Sequence, residues 1–230
     1  MLRLRPIHAT ERPDVWAALL GGLGLVRALD FGDWIEFDAP HGRVALHRAA
    51  AAGAAPGTTR LAFEVGDLDE FARRTREAGT DVVLRDAGYG PTAVLRGPDG
   101  LEIIADAQKE RELPAGADAL VHVMPAWNTP DVAGAAQTLR NMGARIRAVG
   151  EGWTLLEAKN GGRVAVRAAP APRLDLSFHH DGDAAALLDR MRSAGLAARP
   201  ADGALGRALQ VADPDGGADI LIGVGAADGE

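Results

Sequence analysis

Along this chain the spacing of hydrophobic and polar positions switches repeatedly between two periods. Alternation of period two marks half-buried strands at Leu2 to Ile7, Arg60 to Val65, Ala119 to Met124 and Asp175 to His180. Each runs into a helix. Pro13-Asp14 and Pro130-Asp131 open two of these, where a missing N–H costs nothing and an acid favours the helix dipole. Asp67 and Asp183 stand where N-caps belong in the other two. Glycines stop the helices: Gly21, Gly22 and Gly24, then Gly79, Gly143 and Gly195. After the first helix, strands are predicted from Arg27 to Phe37 and from Arg43 to Arg48, with Asp38-Ala39-Pro40-His41-Gly42 as the turn of a hairpin. Lys159-Asn160-Gly161-Gly162 is the corresponding turn in the second half.

The correspondence extends along the whole chain. Pro13-Asp14-Val15 returns as Pro130-Asp131-Val132, Gly42-Arg43-Val44-Ala45 as Gly162-Arg163-Val164-Ala165, and Pro98-Asp99-Gly100 as Pro214-Asp215-Gly216, at offsets of 116 to 120 residues. Conserved order and spacing mean an internal duplication. The expected organisation is a first module over 1–110 and a second over 118–226. The link from Gln108 to Asp118, holding Pro114 and Gly116 among charges, divides them.

This order of strand, helix, glycine and hairpin, then strand, helix ending in Ala-Gly, and a strand pair turning on Pro-Asp-Gly resembles the vicinal oxygen chelate superfamily. That superfamily includes glyoxalases, bleomycin-resistance proteins and extradiol dioxygenases. The signals are Arg60-Leu61-Ala62-Phe63-Glu64-Val65 with Gly66-Asp67-Leu68-Asp69, Glu77-Ala78-Gly79, and Gly97-Pro98-Asp99-Gly100 with Asp213-Pro214-Asp215-Gly216. The resemblance implies an α+β fold: two fused tandem βαβββ-type modules whose curved sheets form a cup, with helices outside. It also implies that metal-dependent relatives hold a divalent ion through His, Gln or Glu on inward strand positions.

Composition narrows the chemistry. With 0 cysteines there are no disulfides, thiolate metal sites or Cys nucleophile. A formal charge of -7 with scattered basic residues argues against nucleic acid as a partner. No stretch reaches the roughly 18 apolar residues of a membrane helix, and the amino terminus lacks a secretion signal, so a cytoplasmic protein is expected. Fusion makes a monomer sufficient and leaves a homodimer open.

Strand alternation assigns faces. Leu61, Phe63 and Val65 pack under helices, leaving Arg60, Ala62 and Glu64 in the cup; Leu174, Leu176 and Phe178 likewise leave Asp175, Ser177 and His179 there. The superfamily's ligand positions fall near Arg5, Arg60 and Ile104 in the first copy, and near His122, Asp175 and Leu221 in the second. A guanidinium cannot ligate a cation. The first copy therefore reads as metal-free, and the second is complete only if its register shifts to present Asp219.

The expected ligand-binding residues are Arg5, Trp34, Arg60, Glu102, His122, Trp153, Asp175 and His179. Trp34 and Trp153 hold matching hairpin positions, and Arg5 and Arg60 need Glu64, Glu102 or an anion beside them. Each has a structural alternative in packing or salt bridges. His8, His41 and His47 are expected at the surface, Trp127 exposed or at an interface, and Tyr89 in a turn or lid. The expectation is thus a metal-independent protein with no cofactor that binds a small molecule, in the manner of the drug-sequestering resistance members. The alternative is a metal-dependent lyase, isomerase or dioxygenase using His122 and Asp175.

Overall fold

Pro6 breaks the strand expected from Leu2 to Ile7, Pro125 directly follows the one expected from Ala119 to Met124, and each is followed by a new strand. In the computed structural model, which describes residues 1–108, 112, 115–203 and 206–225, Pro6 and Pro125 lie between paired segments. A residue without an N–H cannot continue a ladder. The elements are β1 (Leu2–Leu4), β2 (Ile7–Thr10), α1 (Pro13–Leu23), β3 (Val26–Asp30), β4 (Trp34–Ala39), β5 (Gly42–Arg48) and α2 (Ala49–Ala52). Next come β6 (Thr59–Val65), α3 (Leu68–Glu77), β7 (Val82–Asp86), β8 (Pro91–Arg96) and β9 (Glu102–Ala107). The second half has β10 (Val121–Val123), β11 (Ala126–Thr129), α4 (Val132–Asn141), β12 (Arg145–Gly150), β13 (Trp153–Glu157), β14 (Arg163–Ala168) and β15 (Arg173–Asp175). It closes with β16 (Phe178–His180), α5 (Ala184–Ser193), β17 (Arg199–Gly203), β18 (Gly206–Val211) and β19 (Ile220–Val224).

The repeating βαβββ element is half a copy long. It occurs as β2-α1-β3-β4-β5, β6-α3-β7-β8-β9, β11-α4-β12-β13-β14 and β16-α5-β17-β18-β19. In each, the first and last strands pair in parallel and the others are antiparallel. The strand expected over Arg27 to Phe37 is two strands, because Phe31 to Asp33 turns, with Phe31 N–H donating to the Trp34 carbonyl and Gly32 at φ +79°. Among the helix ends, Asp67, Asp131 and Asp183 accept backbone N–H bonds as N-caps. α1 runs through Gly21 and Gly22 and ends only at Gly24, at φ +107°.

The chain divides into two compact units. Unit 1 comprises Met1–Pro6, Arg60–Glu112 and Pro125–Asp175; unit 2 comprises Ile7–Thr59, Leu113–Met124 and Leu176–Glu230. The expected link from Gln108 to Asp118 lies partly outside the described residues. Unit 1 contains the strand orders β1-β6-β9-β8-β7 and β12-β13-β14-β11-β15, and unit 2 contains β3-β4-β5-β2 and β10-β16-β19-β18-β17. In unit 1, β1 and the β13–β14 turn exchange the bonds Leu4 N–H to Gly161 O and Asn160 N–H to Leu2 O. In unit 2, β10 meets the β4–β5 turn in the same way, through Val123 N–H to His41 O.

Each helix covers one sheet face. Trp16, Leu19, Leu20 and Leu23 of α1 are buried on the β5 side with Val44 and Leu46; Phe71 and Ala72 of α3 lie over β8 and β9. Burial of such side chains supplies roughly 1.5–3 kcal/mol each, the main favourable contribution to folding. Polar chemistry gathers on the opposite faces.

Candidate functional site

On unit 2's face away from α1, the alternation of β4 and β5 aligns Trp34, Glu36 and Asp38 with His47, Ala45 and Arg43. Three of these are buried charges. Arg43 makes a close ion pair with Asp38 and lies 3.9 Å from Glu36, and the Trp34 indole N–H donates to Glu36 at 3.1 Å. Burying a guanidinium is tolerable only with such partners.

Beside this, register pairs His122 of β10 with His179 of β16. Their rings are edge to face at 6.3 Å, and His41 stacks on His122 at 4.1 Å. Asp181 joins the two imidazoles: its Oδ2 is 2.7 Å from His122 Nε2 and its Oδ1 is 3.2 Å from His179 Nε2. His179 Nε2 also reaches the Gly225 carbonyl at 2.8 Å. The imidazoles are nearly enclosed, whereas Asp181 is about one-third exposed, so the carboxylate faces the open side. His180, one residue on, points the other way, to Asp118. Two imidazoles and one carboxylate are donor types that a divalent ion takes, but His179 Nε2 donates to the Gly225 carbonyl here and would have to give up that proton to ligate.

A second group in unit 2 brings three possible ligand atoms, from His8, Asp213 and Asp215, within 4.8 Å of one another. His8, expected at the surface, is 2% exposed because β2 turns it toward α1, where it packs on Trp16 at 4.3 Å. Asp215 accepts from the Trp16 indole at 2.7 Å, from Thr10 at 2.9 Å and from His8 Nε2 at 3.3 Å, so both of its oxygens are engaged. Burial opposes ionisation of Asp215, yet these bonds outweigh it and hold the carboxyl below its ordinary value. Burial likewise pushes His8 below 6.5, against the pull of Asp215 and Asp213. Unit 1 repeats the arrangement with Trp127 in the place of His8, its indole donating to Asp99 at 2.8 Å. Trp127, expected at an exposed or interface position, is therefore fully buried. Since an indole ligates nothing, the shared feature is a clamp that fastens the Pro-Asp-Gly turn to the helix side of the sheet.

In unit 1, Arg5 is buried between Glu64 at 3.6 Å and Asp106 in close contact, and Tyr89, otherwise exposed, reaches Asp106 at 3.3 Å. Arg60 is exposed and Glu102 half-buried. Trp153 faces Arg167 across β13 and β14. Asp175 ends β15, where Asn128 and Arg173 donate to it. The eight expected ligand-binding residues therefore divide: Trp34, His122 and His179 lie in unit 2, the other five in unit 1. His122 and Asp175, paired in the enzymatic alternative, belong to different units because the chain breaks between β15 and β16. Asp219 is engaged by Arg199 at 2.8 Å. Asp181 was not among the expected residues, although it stands two residues beyond His179, and His41, expected at the surface, stacks on His122.

No protein-family model matches the chain, and no curated protein matches its sequence. Solved structures do match. Catechol 2,3-dioxygenase aligns over 97% of this chain and 87% of its own at TM-score 0.60 and 18% identity. A Mn(II)-bound glyoxalase from Novosphingobium aromaticivorans aligns over 96% and 80% at TM-score 0.60 and 17% identity. Homoprotocatechuate 2,3-dioxygenase from Arthrobacter globiformis aligns over 96% and 78% at TM-score 0.61 and 18% identity. The fold is that of the vicinal oxygen chelate superfamily. These neighbours are named as two dioxygenases and a Mn(II)-bound glyoxalase, and at 17–18% identity the likeness is one of fold.

Proposed function

We propose that the chain is a metal-dependent enzyme of the vicinal oxygen chelate fold, with a divalent ion held in unit 2 by His122, His179 and Asp181. The observation that carries this reading is the joining of two enclosed imidazoles by one open carboxylate, at 2.7 and 3.2 Å. Its support is the likeness to a Mn(II)-bound glyoxalase and to homoprotocatechuate 2,3-dioxygenase. Two imidazoles with one carboxylate leave coordination positions open for substrate, the donor pattern of many non-haem iron sites. When bound, such an ion supplies Lewis acidity to a substrate that chelates it through two adjacent oxygens.

The chain's own groups divide the remaining work. His41, stacked on His122, fixes that ring's orientation. Trp34 offers an aromatic wall, and Glu36 and His47 on the same face are the proton-carrying side chains beside it. Arg43 offsets the negative charge of Asp38 and Glu36. Candidate substrates are small catechols, the class named by the catechol 2,3-dioxygenase neighbour.

The test is metal content and binding by calorimetry on the full chain with Fe(II), Mn(II), Zn(II) and Ni(II). One equivalent is expected, weakened at least tenfold in His122→Ala and His179→Ala and unchanged in His8→Ala. Absence of binding, or loss of binding only in His8→Ala, overturns the assignment. Turnover of catechol, followed as ring-cleavage absorbance, then distinguishes dioxygenase from isomerase chemistry.

A further inference from the structure

Duplication makes the two units comparable residue by residue, and at one row their chemistries part. In unit 2 Trp34 faces His47 and gives its indole N–H to Glu36. In unit 1 the matching Trp153 faces Arg167, and the position of Glu36 is taken by Leu155, since Glu36 pairs with Ala45 as Leu155 does with Ala165. The indole has lost its acceptor while its neighbour has become a permanent cation. Register extends the row: Arg167 is next to Asn128 on β11, and Asn128 is next to Arg173 on β15. All four side chains lie on the face away from α4, because the intervening Trp127 and Val166 are fully buried on the helix side.

The donors of this row outnumber its acceptors. Neither Arg167 nor Trp153 makes a side-chain hydrogen bond among the described residues, and the Arg167 Nε is buried without a partner. The nearby acid, Asp175, is engaged by Arg173 at 2.8 Å and Asn128 at 2.9 Å. Burial weakens the Arg167 cation and Asp175 offsets this only through its charge. A half-buried guanidinium with one N–H enclosed and unpartnered carries a cost that an accepting anion would relieve. Two arginines against one aspartate leave one positive charge. The Trp153 indole is held in place against Gly150, where an added Cβ would meet its Nε1 at 2.2 Å.

We propose that Trp153, Arg167 and Asn128 form a second ligand site, in unit 1, for a small molecule carrying a single carboxylate on a planar ring. The carboxylate takes the guanidinium and indole donors, and the ring lies along the half-buried indole. One net charge selects a monoanion over a phosphate dianion. The site is independent of the metal centre proposed for unit 2.

Benzoate is the probe, titrated into the uniformly 15N-labelled full chain while the four indole N–H signals are followed, that of Trp153 being assigned by Trp153→Phe. The Trp153 signal is expected to shift saturably, with affinity at least tenfold weaker in Arg167→Leu and unaffected by a metal chelator. Arg167→Leu is expected to melt no lower than the parent, since it removes an enclosed, unpartnered N–H; this separates loss of a site from loss of the fold. No shift at about 10 mM benzoate, tighter binding of inorganic phosphate, dependence on metal, or an Arg167→Leu variant that binds normally each overturns the proposal.

Discussion

Replacing Asp215 by Ala in metal-free protein separates a structural clamp from an empty metal site. The carboxylate is almost wholly enclosed and takes hydrogen bonds from Trp16, Thr10 and His8, the first two residues being fully buried. Its removal strands three donors, each costing about 1–3 kcal/mol; with the longer His8 contact at the low end and some relaxation, the loss is about 3–6 kcal/mol. That is a large part of the roughly 5–15 kcal/mol that holds a domain folded. Asp213 accepts the backbone N–H of Asp215 within the turn, so Asp213→Ala is expected to cost only about 1 kcal/mol. Urea unfolding of chelator-dialysed protein, read by far-ultraviolet circular dichroism, compares the two. A pair of acids held ready for an absent cation repel each other, so on that account either substitution stabilises the metal-free chain. Equal effects, or a gain on removing Asp215, would refute the clamp.

Three further outcomes follow from the same geometry. His8 titrates below its ordinary value of 6.5 in the fold, so the unfolded chain binds more protons as pH falls under 6.5; stability is full above that pH and declines below it, and His8→Gln should flatten the decline in urea midpoints measured from pH 8 to pH 5. Gly162→Ala places a Cβ 2.3 Å from that of Leu4 at φ +96° and should cost about 2–4 kcal/mol in chemical denaturation. Asp67→Ala and Asp183→Ala each remove an equivalent N-cap and should each cost about 1 kcal/mol, measured as shifts in melting temperature.

Much of the fold could be read along the chain because it depends on local chemistry. Asp67 and Asp183 cap helices, Gly79, Gly143 and Gly195 end them at positive φ, and the repeated turns recur in place. The site was less legible. Strand alternation placed Asp175 and His179 on one face, as it would in an unbroken strand, but β15 ends at Asp175 and β16 begins at Phe178, in different units. His8 and Trp127 were misplaced for a related reason: a strand that starts anew after Pro6 or Pro125 chooses its faces again.

What the sequence determined by itself was therefore the periodic and the punctual: which segments alternate, where helices start and stop, and that the whole pattern occurs twice. Those features arise from backbone sterics and from contacts a few residues apart. Only the tertiary structure decided which alternating face met a helix, which strands became neighbours, and hence that His122 meets His179 and Asp181 while Asp175 meets Asn128 and Arg173. Pairing between strands tens of residues apart is set by collective burial, and a single proline between two paired segments is enough to redirect it.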